Sequence, residues 1–186
     1  RGHVGLSADT YRSTYGAVAE AGIEIDMERE HLGLAGEARD LTGPLHQVRV
    51  RLNHTRYRHQ EVEPGGEIGT TFKTAGQEAR VEADHTAIGP MRGVLGLQIE
   101  DFDFSALGEE AFVPSTRTRR QALFALEELP WHFGTLSAGL RLERARVHSS
   151  GDPQDAEPRF GPAAERSFNL RSASLSNVLA LDSRWN

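Results

Sequence analysis

Hydrophobic and polar residues alternate along most of this chain, most clearly between Arg117 and Val147. Two alternating stretches, Arg117–Leu129 and Thr135–Val147, meet at the short aromatic turn Pro130–Gly134. Successive side chains of a β-strand point to opposite faces, so this alternation gives each stretch one apolar and one polar face. Both stretches exceed the average strand of about 5–6 residues and reach the roughly 9–11 residues needed to cross a bilayer at a tilt. The pattern predicts a transmembrane β-hairpin.

The same alternation predicts six further strands. We assign the apolar face of the hairpin to Ala122, Phe124 and Leu126 in its first strand and to Leu136, Ala138, Leu140 and Leu142 in its second. The complete set of predicted strands is His3–Tyr11, Ile23–Asp40, Leu45–Gln60, Thr70–Thr86, Val94–Phe104, Arg117–Leu129, Thr135–Val147 and Arg166–Asp182. In the second strand the apolar parity changes, which predicts a β-bulge or the end of a loop near Glu28–His31.

The connections between the predicted strands alternate in length. Three are short, namely Asp40–Pro44, Ile88–Gly93 and Pro130–Gly134, and four are longer, namely Ser13–Gly22, Glu61–Gly69, Ser105–Ser115 and Ser149–Glu165. Outer-membrane barrels combine short periplasmic turns with longer external loops, and they place aromatic residues at both membrane interfaces. A soluble β-meander is the alternative, and Ser115–Glu128 also fits the apolar face of a helix.

Composition restricts the classes of function. A length of 186 residues suits one domain, and no apolar run approaches the ~18 residues of a membrane helix. The chain has no cysteine, which excludes disulfides and thiolate metal sites, and its formal charge of −6 argues against nucleic-acid binding. No Gly-x-Ser-x-Gly, His-Glu-x-x-His or phosphate-loop motif occurs, so we expect no enzymatic activity and no resident cofactor.

Several segments resemble the barrel of TonB-dependent outer-membrane receptors. They are Arg39–Leu45, Gly69–Lys73, Gly89–Gly96, Ala111–Thr116, Ala122–Glu128 and Ala138–Glu143. The likeness extends over nearly the whole chain, and the zinc-uptake type of receptor is the most similar subgroup. The chain begins without a methionine and stops within an alternating stretch at Arg184–Asn186, so we expect residues 1–186 to be a partial β-barrel domain of a longer protein.

The resemblance implies a function and a set of partners. Such receptors have a large barrel closed by a plug domain and driven by the TonB complex, and their partners include the lipid of the bacterial outer membrane. We therefore expect a barrel segment for uptake of a scarce nutrient, with zinc or another metal species as the transported ligand. Two alternatives are a complete eight-stranded outer-membrane protein and a soluble β-barrel that binds a small apolar ligand.

Zinc uptake requires imidazole and carboxylate ligands where cysteine is missing. The densest group is His59, Glu61 and Glu63, which lead into a long loop and share the parity of the polar set Arg49, Arg51 and Asn53. His54 has the opposite parity and is a poor ligand candidate. The simpler interpretation is that the three residues are solvated polar groups beside a loop.

Other polar groups form weaker candidates. Two more acid–imidazole groups are His148 with Asp152 and Asp155, and His31 with Glu28 and Glu30. We also expect polar-face charges of neighbouring strands to form a cross-strand ladder, each opposite pair contributing about 0.2–1 kcal/mol. The residues concerned are Arg49, Arg51, Arg80, Glu82, Glu100, Arg141 and Glu143.

Overall fold

Eight antiparallel strands form one sheet in the computed structural model, which describes residues 1–18, 20–108, 111–152 and 157–180. Each strand pairs with its neighbours in sequence, so the sheet is a simple meander. The strands are β1 Gly2–Gly16, β2 Glu24–Arg39, β3 Leu45–Val62, β4 Ile68–His85, β5 Arg92–Gly108, β6 Thr116–Trp131, β7 Gly134–Ser149 and β8 Ala164–Leu179. The predicted all-β antiparallel meander of about eight long strands is confirmed.

The sheet is open. No ladder joins β1 to β8 within the described ranges, so each of these strands has one unpaired edge. The part of the chain that the structure describes contains no helix long and apolar enough to cross a membrane. The stretch Ser115–Glu128, for which a helix was the alternative, lies mostly in β6 and is extended.

The ladder registers sort the strand residues onto two faces, because residues opposite each other in a ladder share a face. Leu97 lies opposite Val81 and Leu123, and Leu123 lies opposite Leu142. The same registers, followed across all eight strands, place most of the large aliphatic residues on one face, where they form an apolar belt. The belt comprises Val4, Leu6, Ala8, Leu32, Leu34, Val48, Val50, Leu52, Ala79, Val81, Ala83, Leu95, Leu97, Ile99, Leu123, Ala125, Leu129, Leu136, Ala138, Leu140, Leu142, Ala173, Leu175 and Leu179.

The two faces differ in crowding as well as in polarity. The buried residues of the described chain, Thr70, Ala106, Thr118, Ala122 and Ala145, all lie on the polar face and are 0–8% exposed. Large side chains of the belt are exposed instead. Side chains converge on the concave side of a curved sheet, as they do inside a barrel, so we infer from this burial that the polar face is the concave one.

One strand presents the face opposite to the one predicted. Ala122 and Phe124 of β6 were assigned to the apolar side, but they lie opposite Gln98 and Gly96 on the polar face, and Leu126 shares that face. The belt of β6 consists of odd-numbered residues. The error arose because β6 carries apolar residues at both parities, so only pairing with β5 and β7 determines its orientation.

The predicted bulge in the second strand was also wrong. The β1–β2 and β2–β3 ladders run without a register shift past Glu28–His31. The apolar parity changes because Ile25 and Met27 lie on the polar face near the end of the strand, whereas Leu32 and Leu34 belong to the belt. Register shifts occur instead at the two ends of the β3–β4 ladder.

The strands extend into several segments that were predicted as loops. Strand β1 continues to Gly16, and only residues 63–67 lie between β3 and β4. The connections at the two ends of the sheet therefore differ less in length than expected. Residues 17–23, 63–67, 109–115 and 150–163 connect strands at one end, and residues 40–44, 86–91 and 132–133 connect them at the other. The predicted eighth strand reached Asp182, but Leu181 and Asp182 lie outside the described residues.

Candidate functional site

The polar face carries a dense hydrogen-bonded network, which we call the polar wall. It is built by β3 to β7, whose registers bring polar side chains into adjacent rows. Its members are Arg49, Glu78, Arg80, Glu82, Asp84, Gln98, Glu100, Arg120, Arg141 and Glu143.

Gln98 of β5 connects the strands of the polar wall. Its Oε1 accepts hydrogen bonds from Arg80 Nη1 and Arg141 Nη1, each at 3.1 Å. Its Nε2 donates to Glu78 Oε1 at 2.9 Å and to Glu100 Oε1 at 2.8 Å. A neutral amide offers both donors and acceptors, so Gln98 bonds to cations and anions at once.

The ion pairs of the polar wall run both along the strands and between them. Arg80 contacts Glu82 at 2.6 Å and Arg141 contacts Glu143 at 2.8 Å, both two residues apart on one strand. Arg49 pairs across strands with Asp84 at 2.7 Å and with Glu82 at 3.6 Å. Arg120 of β6 pairs across strands with Glu100 of β5 at 3.4 Å. The expected ladder of charges is therefore present only in part, and the sequence-based interpretation missed the connecting role of Gln98.

An aromatic ring orients the two central arginines. Phe124 of β6 lies across Gly96 of β5, where an added Cβ would approach the ring to 2.0 Å. The guanidinium carbons of Arg80 and Arg141 lie 4.4 and 5.9 Å from the ring centre. Cations are attracted to the face of an aromatic ring, so Phe124 helps to position both arginines. Alternating apolar residues in β6 concealed this role in the sequence.

The predicted metal ligand His59 lies on the polar face, beyond the upper end of the belt. Its Nδ1 is 2.9 Å from the Tyr57 hydroxyl, and its ring stacks on Phe72 at a centroid distance of 4.4 Å. Burial lowers the pKa of His59 despite the opposing charge of Glu61. In the tautomer that donates Nδ1–H to the Tyr57 hydroxyl, the Nε2 lone pair is available to a ligand, whereas in the tautomer that accepts from that hydroxyl Nε2 carries the proton.

The other two predicted ligands are placed differently. Glu61 is on the same face as His59, near the end of β3, and Glu63 lies in the connection to β4. Among the described residues, no group of three or more histidine, aspartate or glutamate side chains is arranged to hold a metal ion. The metal site at His59, Glu61 and Glu63 therefore stays a prediction.

The structure also brings Met27 to this position, which the sequence pattern did not indicate. Met27 of β2 lies directly opposite His59 in the ladder and is half-buried. Met27 and His59 are far apart in the sequence, so only the register between β2 and β3 reveals that the thioether lies beside the imidazole.

The remaining candidates do not form ligand sets in the described part of the chain. His31 contacts Thr55 on the polar face, whereas Glu28 lies on the opposite face and pairs with Arg12 and Arg58. Asp152 accepts backbone hydrogen bonds in its own loop. Asp155, the third member of the His148 group, lies outside the described residues.

The carboxylate of Asp152 is a structural anchor of that loop. It accepts from the backbone N–H groups of Arg159 at 2.5 Å and Phe160 at 2.9 Å. Desolvation is the largest single influence and raises the pKa of Asp152, but these N–H groups, that of Gly161 and the Arg159 charge together lower it below its usual value.

Comparison with known proteins identifies a fold and no family. No family model matches the chain. One solved structure with the same fold is described as "Copper transporter OprC", with a TM-score of 0.79 and 15% sequence identity over 98% of this chain. This chain spans only 33% of that structure's length. At this identity the likeness concerns the fold alone, a meander of long antiparallel strands.

Proposed function

We propose that this chain is a wall segment of an outer-membrane transport barrel that takes up a scarce nutrient. The observation that carries the proposal is the two-sided sheet, with an exposed apolar belt on its convex face and a hydrogen-bonded polar wall on its concave face. A barrel in a membrane requires this arrangement, with lipid outside and water inside. The fold shared with a copper transporter supports the same assignment.

The dimensions of the strands agree with this placement. At about 3.3 Å per residue, strands of 15–18 residues extend for roughly 50–60 Å, longer than a tilted crossing of the hydrocarbon core of about 30 Å requires. The additional length lies toward the end with residues 150–163, where we place the external side. At the opposite end Trp131 and Phe133 pack edge to face at 5.2 Å, as expected of an aromatic girdle.

One charged pair interrupts the belt. His85 Nε2 lies 3.0 Å from a carboxylate oxygen of Glu127, on the apolar face, and the pair extends across Gly93, which has no side chain between them. Pairing lowers the cost of an ionisable group in an apolar environment, so this exception is compatible with a lipid-facing belt.

A pair of single-cysteine variants tests the membrane assignment, because the natural chain has no cysteine. Leu175→Cys places a thiol on the apolar face of β8, and Ser174→Cys places one on the polar face at the same level. In the full-length protein in vesicles, an environment-sensitive fluorophore should be quenched by brominated lipid at position 175 and by aqueous iodide at position 174. Iodide quenching at both positions would contradict a lipid-facing belt.

We further propose that uptake is TonB-dependent and that the cargo is a metal species. The partners would be a plug domain and the TonB complex, acting through the full-length protein. The cargo site would include His59, Glu61 and Glu63 at the external end of the polar face. Imidazole with carboxylates suits zinc, whereas the nearby thioether of Met27 favours a softer ion such as Cu(I).

Calorimetric titration of the full-length protein with Zn²⁺ and, under reducing conditions, with Cu(I) tests the cargo site. We expect His59→Ala and Glu61→Ala to weaken binding of the preferred ion, and Met27→Leu to weaken only Cu(I). His31→Ala on the same face is the matched control. Unchanged affinity in the His59→Ala and Glu61→Ala variants would exclude this site and leave the barrel assignment intact.

The alternative functions receive less support from the geometry. A complete eight-stranded barrel would need pairing between β1 and β8, which the described residues do not show. A soluble barrel that binds an apolar ligand would need the belt on its inner side, whereas the crowded concave face is the polar one.

A further inference from the structure

Charged residues follow the belt on the apolar face, toward the external end of the strands. Most of the arginines among them are paired within the described chain. Arg117 and Arg119 contact Asp101 at 2.7 and 3.0 Å, and Arg146 contacts Glu165 at 3.4 Å. These arginines have their charge balanced by the protein itself.

Arg144 and Arg171 differ from these arginines. Neither makes a salt bridge or a side-chain hydrogen bond within the described chain. Arg171 lies opposite Leu142, and Arg144 lies opposite Asn169, so the two arginines are diagonal neighbours across the β7–β8 ladder. Diagonal neighbours are about 7–8 Å apart at their Cα atoms, close enough for two long side chains to reach one anion.

An apolar groove begins at these arginines. A surface cavity of ≈ 460 Å³ is lined by Leu97, Leu123 and Leu142 of the belt together with Arg144 and Arg171. Its other polar side chains on this face are the amides Gln121 and Asn169, which flank Arg144 in one transverse row of the sheet. Glu143 also borders the cavity, but its carboxylate is paired with Arg141 on the polar face.

From this juxtaposition we infer that the groove on the apolar face of β6–β8 binds a phosphorylated lipid of the external leaflet. The inference rests on the proposed function, which places this face in a membrane. The phosphate lies between Arg144 and Arg171, because guanidinium groups bind phosphate through paired hydrogen bonds. One acyl chain covers Leu97, Leu123 and Leu142, and the amides of Gln121 and Asn169 bond to hydroxyl groups of the head.

The position of the arginines makes lipid the expected source of the phosphate. Both guanidiniums lie at the border of a face that water-soluble ligands do not reach, and the groove continues into the belt rather than toward the polar wall. Soluble phosphate would bind the two guanidinium groups and would not contact the leucines of the groove. A lipid uses both, and it also supplies the counter-charge that the described residues do not provide at this position.

Native mass spectrometry of the full-length protein in detergent tests the inference, with lipid A as the phosphorylated probe and phosphatidylethanolamine as the competing lipid. We expect the natural protein to retain lipid A preferentially. Arg144→Ala and Arg171→Ala should each weaken retention by about 10–100-fold, the effect of losing a hydrogen bond to a charged group. Arg144→Lys should weaken it less, because lysine keeps the charge and loses the planar fork.

The matched control is Arg166→Ala, which removes one arginine from the polar face of the same strand. It should leave lipid retention unchanged. Equal losses in Arg166→Ala and Arg171→Ala, no preference for lipid A over phosphatidylethanolamine, or full competition by millimolar inorganic phosphate would each overturn the inference. Retained β-sheet circular dichroism establishes that each variant is folded. Failure here with lipid quenching intact at Leu175→Cys would leave the proposed function standing.

Discussion

Replacing Leu97 with arginine is the most direct energetic test of the apolar belt. Leu97 is 39% exposed and lies opposite Val81 and Leu123, and no carboxylate is directly opposite to it or diagonal from it. An introduced guanidinium would therefore have no partner on this face. In a lipid environment it must be stabilised by distortion of the bilayer, whereas in water it would be solvated freely.

The expected magnitude follows from the depth of the position. Arginine on the lipid face of a barrel costs about 2–4 kcal/mol near the bilayer midplane and about 0–1 kcal/mol near the interfaces. Gln77 lies opposite Asp101, which is four residues from Leu97 toward the external end of β5. Four residues span about 13 Å along a strand, or about 9 Å of membrane depth at a tilt of about 45°. We expect Leu97→Arg to cost about 2–3 kcal/mol and Gln77→Arg less than about 1 kcal/mol.

Equilibrium unfolding of the full-length protein from lipid vesicles by guanidinium chloride measures these costs. Ser137→Arg is the control, since Ser137 lies on the polar face opposite Glu128 and should accept an arginine within about 0.5 kcal/mol. Equal small costs at all three positions would mean that the belt faces water. Costs above about 4 kcal/mol at both Leu97 and Gln77 would indicate a sealed soluble core and refute the membrane assignment.

Three further predictions concern the polar wall and the external loop. Gly96→Ala should destabilise the protein by about 1–3 kcal/mol in the same unfolding assay, because its Cβ displaces Phe124, and Phe124→Leu in the double variant should recover part of that loss. Gln98→Leu should cost about 1–3 kcal/mol, since four hydrogen bonds to charged groups are lost, and Gln98→Glu should not restore the stability because it donates nothing to Glu78. Asp152 has a lowered pKa, so its stabilisation of the loop is fully present above the unfolded value near 3.8 and is lost as pH falls through the folded pKa. Hydrogen exchange of residues 159–160 should accelerate over that acidic range in the natural protein and be fast at all pH values in Asp152→Asn, and a pH-independent rate in the natural protein would refute this role.

Strand positions and the meander topology could be predicted because each depends on local information. Alternation of period two marks a strand wherever one face is apolar, and short connections join antiparallel neighbours. The faces of β3, β5 and β7 were predicted correctly for this reason. Val48, Leu97 and Leu140 each lie in an uninterrupted run of alternation, namely Val48–Leu52, Leu95–Ile99 and Leu136–Leu142.

The orientation of β6 could not be read in this way. Leu123 and Phe124 are adjacent and both apolar, so the alternation near them supports either face. The ladder decides between them, because pairing places Leu123 beside Leu97 and Leu142. Phe124 is then left on the polar face, where Gly96 provides room for its ring. A glycine opposite an aromatic residue is the sequence feature that would have indicated this orientation.

The candidate cargo site was predictable in composition and not in arrangement. The density of His59, Glu61 and Glu63 is visible in the sequence, but the neighbours of His59 come from other strands. Tyr57 shares its strand, whereas Phe72 and Met27 are set by the β3–β4 and β2–β3 registers. A register cannot be inferred from a single strand, since a shift of one residue would reverse every face.

The distribution of satisfied and unsatisfied groups separates structural from recognition roles in this sheet. Gln98 uses both its donor and its acceptor on neighbouring charges, and Arg49 Nε is the one buried side-chain polar atom without a hydrogen bond in the described chain. A wall whose groups already bond to each other has little capacity to bind cargo, and it would let a polar solute pass. His59 Nε2 and the guanidiniums of Arg144 and Arg171 have no such partner among the described residues. Under the proposed function, cargo is therefore expected to bind at the external end and lipid on the apolar face, while the polar wall between them stabilises the sheet.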